Sequence, residues 1–367
     1  MIICIPRERR PYEFRVGLSP MGAEILMQHG HTIFIEHDAG QGARFPDREY
    51  EKVGAKIAYA VDEIYGRAEL LLKIARPLDD ELDMLQPGTT IVGFLHLASA
   101  AQKKIDALLK DKITAIAYEQ IEEADGSLPV LRPFSQIGGA MAAEVASRLL
   151  QSDHGGRGVL LGGIPGVPPA EVVIIGAGTS GTYAARTFKG LGAHLTVLDK
   201  DLNALQRISQ IDPNFVTLLA TPHNIARVCE YADVLVGAVL VPGARSPIII
   251  TREMVKKMKH RSIFIDISID QGGCSETSRP TTHDHPSYIE EDVVHYCVPN
   301  MPGVVARTAT HGFVNAAIAY IQEITDLGVD KAIENPAIEA GVNTYKGELR
   351  HLSRFTNKDE GEKDGLE

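Results

Sequence analysis

Short runs of branched apolar residues recur along this chain, and longer segments with helical spacing separate them. In the first third, residues 1–6, 31–36, 70–74, 90–94 and 114–118 have the length and composition of buried strands. Ser19-Pro20 is a helix-start signal ahead of residues 21–29. Residues 133–140 read as a transition, and the apolar period of 141–150 predicts a connecting helix. A second series follows: strands at 172–175, 195–198, 233–240, 262–267 and 293–298, with helical spacing from Thr182 onward. Residues 310–327 carry a long helical period with few breakers, which suits a helix returning to the first unit. Residues 357–367 hold almost no apolar side chains, so a frayed tail is expected. Strands alternating with helices predict an α/β chain with two parallel, doubly wound sheets.

The join between the strand at 172–175 and the helix after it carries the densest signal. Gly176-Ala177-Gly178-Thr179-Ser180-Gly181 stands there, and the next apolar run ends on Asp199. In a dinucleotide-binding turn the first glycine permits the tight bend. The second lets the backbone approach a pyrophosphate, and the third lets helix and strand pack closely, with the phosphates at the helix N-terminus. An acid about 20 residues further on suits hydrogen bonding to the adenosine ribose and repels a 2′-phosphate. NAD is therefore expected over NADP, despite neighbouring Lys200.

Composition narrows the field. At 367 residues the chain is long enough to bury two cores, and 44% hydrophobic with 23% charged residues is ordinary for a globular protein. A net charge of −11 argues against a nucleic-acid surface, since the one dense basic run, Arg7 to Arg10, is short. No apolar stretch reaches the roughly 20 residues of a membrane span, and the start does not resemble a signal peptide. A cytoplasmic protein is expected. Cys4, Cys229, Cys274 and Cys297 show no zinc-ligand spacing, so no metal site is expected and the thiols read as reduced packing residues.

Ligands of doubly wound sheets sit at the carboxyl ends of strands, which directs attention to polar residues just after apolar runs. His96, after the run at 90–94, reads as a core histidine or as a proton-exchanging group. Asp266 and Asp270 stand four apart ahead of Gly272-Gly273, and Asp270 reads equally as a carboxylate delivered to the crevice or as a turn acid. Arg15, beyond the first strand, is a solvated cation or a fork for a carboxylate. Loops at residues 239–243 and 298–302 are further candidates to line the crevice.

Taken in order, these motifs resemble the alanine dehydrogenases, relatives of the NAD-binding subunit of the proton-translocating transhydrogenases. The likeness runs through Pro6-Arg7-Glu8, Arg15-Val16, Phe94-Leu95-His96-Leu97-Ala98, Gly156-Arg157-Gly158-Val159-Leu160, Gly163-Ile164-Pro165-Gly166-Val167, the glycine turn, Val239-Leu240-Val241-Pro242-Gly243-Ala244, Ile269-Asp270-Gln271-Gly272-Gly273 and Asn300-Met301-Pro302. It implies a substrate and catalytic domain from residues 1–130 and 308–367, and a Rossmann NAD-binding domain from 131–307. His96 and Asp270 would be catalytic, with Arg15 and Lys73 binding the substrate. Ser135, Gly176, Gly178, Thr179, Ser180, Gly181, Asp199, Val239, Leu240, Val298, Asn300 and Met301 would flank the cofactor. A homohexamer acting on a small amino acid and its 2-oxo acid is also implied.

The chain departs from the family at two places. Where members usually read Lys-Val-Lys-Glu-Pro it reads Lys73-Ile74-Ala75-Arg76-Pro77, so a substrate-contacting lysine has become Ala75. After Ser135, Gln136 replaces a usual glutamate and Ala140 a usual arginine. The reaction expected is NAD-dependent, reversible oxidative deamination of L-alanine to pyruvate and ammonia. The alternatives are a dehydrogenase for another small amino acid, or a non-catalytic NAD(H)-binding subunit of transhydrogenase type.

Overall fold

The structure, a computed structural model, describes residues 1–241 and 245–352. The expected tail at 357–367 and part of the 239–243 loop lie outside the described residues. The chain divides into two compact units: Met1–Pro133 with the chain from Gly303 onward, and Phe134–Pro302.

The first unit is built on strands β1 Ile2–Ile5, β2 Thr32–Glu36, β3 Lys56–Ala58, β4 Leu70–Ala75, β5 Thr90–Phe94 and β6 Thr114–Ala117. The second uses β7 Glu171–Ile175, β8 His194–Asp199, β9 Val216–Leu219, β10 Val234–Gly237, β11 Ile263–Asp266, β12 Ser287–Glu290 and β13 Val293–Tyr296. Late strands β14 Val342–Tyr345 and β15 Glu348–Leu349 join the first sheet. Its order is β15-β14-β6-β5-β4-β1-β2-β3, and the other sheet runs β12-β13-β11-β10-β7-β8-β9. Both sheets are parallel except for the antiparallel edge formed by β14 and β15 in one and by β12 in the other. Each therefore reverses its strand order once among the parallel strands, between β1 and β4 and between β7 and β10. That reversal opens a crevice at the strands' carboxyl ends.

Burial explains why these runs are strands. In β7, Val172 and Ile174 enter one core cluster while Val173 and Ile175 enter another on the opposite face. A strand buried on both faces needs apolar residues at every position. The helix Pro20–Gln28 begins where Ser19 accepts the N–H of Gly22, with Pro20 at its first position. The helix Ala306–Leu327 packs inside the first unit, where Phe313 meets Phe94 and Tyr118 with ring centroids 5.8 and 5.0 Å apart.

One expectation is corrected. Residues 133–140 are not a transition but the first half of a continuous helix, Arg132–Leu149. Pro133 sits in its first turn, where a missing N–H costs nothing. Gly138 and Gly139 read as breakers, yet the helix runs through both, and Gly139 serves close packing: a Cβ there would stand 2.1 Å from the carbonyl oxygen of Ser180. All four cysteines are buried and unbridged. Burial, with Asp266 alongside, pushes the Cys274 thiol well up, which keeps it unreactive.

Candidate active site

In the second unit the dinucleotide turn takes shape from three glycines with different surroundings. Gly176 has φ +110°, and a Cβ there would lie 2.2 Å from the Ala238 carbonyl oxygen, across the strand-order reversal. On Gly181 a Cβ would lie 1.7 Å from the carbonyl oxygen of Gly176. Gly178 has nothing within 4 Å of that point, so the backbone there is open to an approaching group. The helix Thr179–Gly190 starts with no side-chain cap. Its first-turn N–H groups are thus left to an anion, as a pyrophosphate requires. Thr179, Ser180 and Gly181 make that first turn. Asp199 ends β8 and turns back on the loop: one carboxylate oxygen accepts the Ala177 N–H at 2.6 Å, the other the Asp201 N–H at 2.9 Å. These residues fit a dinucleotide.

Ser135 lies one helical turn before Gly139, on the face that touches Ser180. Past β10, the Val239 N–H donates to Ser268 Oγ at 2.9 Å, tying the loop after β10 to the loop after β11. Leu240 is exposed. Asp266 is buried and accepts the N–H groups of Ser268 and Cys274 at 3.0 and 2.9 Å, so of the two acids it is the scaffold. Asp270 is exposed and accepts the Asn300 N–H at 2.9 Å. This bond brings two site residues together, and Asn300 takes a left-handed φ of 57° to make it. Val298 and Met301 are only 2% and 3% exposed and pack in the core. What they offer a cofactor is backbone.

In the first unit Arg15 is 6% exposed, and Glu13 holds its fork: Nε donates at 2.7 Å and a terminal nitrogen at 2.5 Å. The segment after it presses on β4, since a Cβ on Gly17 would stand 2.3 Å from the Leu72 carbonyl oxygen. Lys73 is fully buried on β4, with Nζ 2.8 Å from Glu81 and 3.2 Å from Glu8. Burial pushes the Glu8 carboxyl up, against the pull of Lys73. At Glu81 burial also works upward, but Lys73 and the hydrogen bonds from Leu78 and Tyr65 overcome it and leave the carboxyl below its usual range.

His96 follows β5 in the left-handed conformation, φ 43° and ψ 44°. Only a few per cent of non-glycine residues adopt a positive φ. Glu119, just past β6, accepts the N–H groups of His96 and Leu95 at 2.6 and 3.2 Å, and the imidazole Nδ1 is 3.7 Å from the same carboxylate. On the carbonyl side, Arg76 donates to the His96 oxygen at 2.8 Å. The imidazole itself is exposed. Sequence reasoning missed Glu13, Glu119 and Ser268. Glu119 had a signal, being the acid that ends the apolar run at 114–118.

Comparison with known proteins places the chain in a family. The family described as alanine dehydrogenase/PNT matches twice: its N-terminal domain over residues 4–138 and its C-terminal domain over residues 142–352. An alanine dehydrogenase of Mycolicibacterium smegmatis is 42% identical over 361 residues, covering 98% of this chain and 96% of the relative. One from Methanococcus maripaludis is 44% identical over 354 residues, covering 96% and 95%. Among solved structures, an L-alanine dehydrogenase superposes with a TM-score of 0.92 at 40% identity, covering 97% of this chain and 98% of that one. A transhydrogenase from Sinorhizobium meliloti shares the fold, with a TM-score of 0.82 at 22% identity and coverage of 95% and 100%. The resemblance carried by the motifs stands: the chain belongs to the alanine dehydrogenase/PNT family.

Proposed function

We propose that the chain catalyses the NAD-dependent, reversible oxidative deamination of L-alanine to pyruvate and ammonia. The observation that carries this reading is the glycine turn at the strand-order reversal, drawn shut by Asp199, in a chain that matches alanine dehydrogenases over nearly its whole length. The unit containing residues 134–302 is the cofactor domain in this account, and the other unit binds substrate. NAD, when bound, supplies the hydride acceptor. The open backbone at Gly178 and the first turn at Thr179, Ser180 and Gly181 receive its phosphates, and Asp199 selects the unphosphorylated ribose. Ser135, Val239, Leu240, Val298, Asn300 and Met301 line its path.

The chain's own residues do the acid–base work. Arg15, its fork oriented by Glu13, holds the substrate carboxylate. Lys73, which the resemblance implies to be substrate-binding, is fully buried against Glu8 and Glu81 and in this reading acts by holding those two carboxylates. His96 exchanges a proton with the developing carbinolamine or carbonyl oxygen, and Asp270 stabilises charge at the reacting nitrogen or the attacking water. The described residues include no helix long and apolar enough to cross a membrane. A cytoplasmic homohexamer is part of the proposal.

Ala75 favours a second reading, a dehydrogenase for another small amino acid. It removes a cation that alanine-specific members use, and a methyl group cannot donate to a carboxylate. Following NADH formation with a panel of L-amino acids separates the two. Preferential turnover of L-alanine supports the first. Preference for another member supports the second, and tight NADH binding with no turnover on any of them favours a transhydrogenase-type subunit.

A further inference from the structure

The pairing of β4 with β5 is irregular just where the chemistry is expected. Leu72 pairs with Val92, but the next pair is Ala75 with Phe94, so β4 carries one residue more than its partner. A bulge of this kind bends the strand and re-aims the side chains after it. Directly past it, Arg76 and His96 leave neighbouring strand ends. One terminal nitrogen of Arg76 donates to the His96 carbonyl oxygen at 2.8 Å and lies 3.4 Å from Ser99 Oγ. Ser99 Oγ in turn donates to the same His96 carbonyl at 2.9 Å. Arg76 is itself fixed, because Arg10 donates twice to its carbonyl oxygen, at 3.2 and 3.0 Å. Its Nε is buried with no hydrogen-bond partner. Together with Glu119 on the N–H side, the two peptide groups flanking the His96 side chain are held by charged groups of opposite sign.

From this geometry we infer that Arg76 is a positioning residue for His96: it holds the His96 peptide in the left-handed conformation and so fixes where the imidazole meets the substrate. The inference rests on the reading of His96 as the proton-exchanging group. The conformation is one a β-substituted residue leaves readily unless its surroundings over-determine it. A catalytic side chain displaced by even an ångström loses much of its rate advantage. Loss of the clamp therefore reaches the chemical step while cofactor binding, built in the other unit, is untouched.

The test compares the parent with Arg76→Ala, Arg76→Lys and His96→Ala, measuring kcat and KM for L-alanine, NADH affinity by fluorescence, and thermal midpoint. Arg76→Ala is expected to lower kcat about tenfold or more with NADH affinity within twofold, and Arg76→Lys, which keeps one charged donor, to recover part of the loss. A kcat within twofold of the parent in Arg76→Ala overturns the inference, whatever happens to the midpoint. So does a loss of kcat that Arg76→Lys does not recover at a midpoint equal to the parent's. Should His96→Ala itself turn over normally, the reading of His96 fails and the inference falls with it, an outcome distinct from failure of the clamp alone.

Discussion

The carboxylate of Asp199 accepts the backbone N–H of Ala177 at 2.6 Å, so the acid proposed to face the ribose also braces the turn proposed to hold the phosphates. Its two oxygens each bond a backbone donor, which fixes the side chain before any ligand arrives. One residue thus couples cofactor affinity to cofactor choice. Asp199→Ala removes a charge-assisted bond worth about 1.5–3 kcal/mol. NADH affinity is expected to fall roughly tenfold to a hundredfold, and the preference over NADPH to narrow. Fluorescence titration of both nucleotides checks this; an unchanged preference would deny the residue its selecting role.

Gly176 combines a φ of +110° with a carbonyl oxygen 2.2 Å from any added Cβ. Gly176→Ala is expected to destabilise the second unit by at least ~1–2 kcal/mol from backbone strain alone and to abolish measurable NADH binding. By contrast Gly178→Ala meets no neighbour within 4 Å, so stability should hold while cofactor affinity falls. Thermal midpoints read beside NADH titrations distinguish the two substitutions.

How far such features were legible depends on whether a local run of residues encodes them. Both sheets could be read because central strands such as β1, β5, β7 and β11 are buried on both faces and so form unbroken branched runs. Strands β3, β9, β12 and β15 escaped notice because they are short, lie at sheet edges and keep exposed or half-buried positions, as Lys56, Val216 and Ile289 do, and β14 because two of its four residues are the polar Asn343 and Thr344. The start of the helix Arg132–Leu149 was hidden by Pro133, Gly138 and Gly139; the reason for Gly139 is a close approach to Ser180 that only tertiary structure supplies. At the candidate site, spacing pointed to the glycine turn and to polar residues after strands. It held no sign of the left-handed turn at His96, or of Arg76 and Glu119 gripping its peptide groups, since these contacts join residues about 20 positions apart.

Lys73 lies between Glu8 and Glu81 with no exposed surface. Lys73→Met removes the ammonium that the two buried carboxylates share and leaves Glu81 with the more distant Arg9, at 3.7 Å; breaking a buried pair in this way typically costs about 3–5 kcal/mol. Burial already pushes the Glu8 carboxyl up, and losing the ammonium raises it further while lifting Glu81 from its lowered value. A carboxyl raised on folding contributes stability that is present at acid pH and lost as pH rises through its folded value. The variant's deficit should therefore be largest at neutral pH and shrink as pH falls toward the ordinary carboxylate range. Urea midpoints of parent and variant at both ends of that interval check the sign; an equal deficit at both would show that packing, not charge, is what Lys73 supplies.

Asp270 and Asn300 meet through the Asn300 N–H, so Asp270→Asn keeps the size of the side chain and an acceptor for that bond while removing the charge. kcat is expected to fall by about a hundredfold or more, the scale of a lost acid–base or charge-stabilising group, with NADH affinity close to the parent's. A matching loss in both quantities would move Asp270 from the chemistry to the framework of the cofactor loop.

The most direct measurement is steady-state NADH formation from L-alanine and NAD, run on the parent and on His96→Ala. The account predicts turnover of L-alanine by the parent, its reversal with pyruvate and ammonium, and a loss of about a hundredfold to ten-thousandfold in the variant with NADH binding retained. A parent that binds NADH yet oxidises neither L-alanine nor any other small amino acid, or a variant as active as the parent, would contradict it.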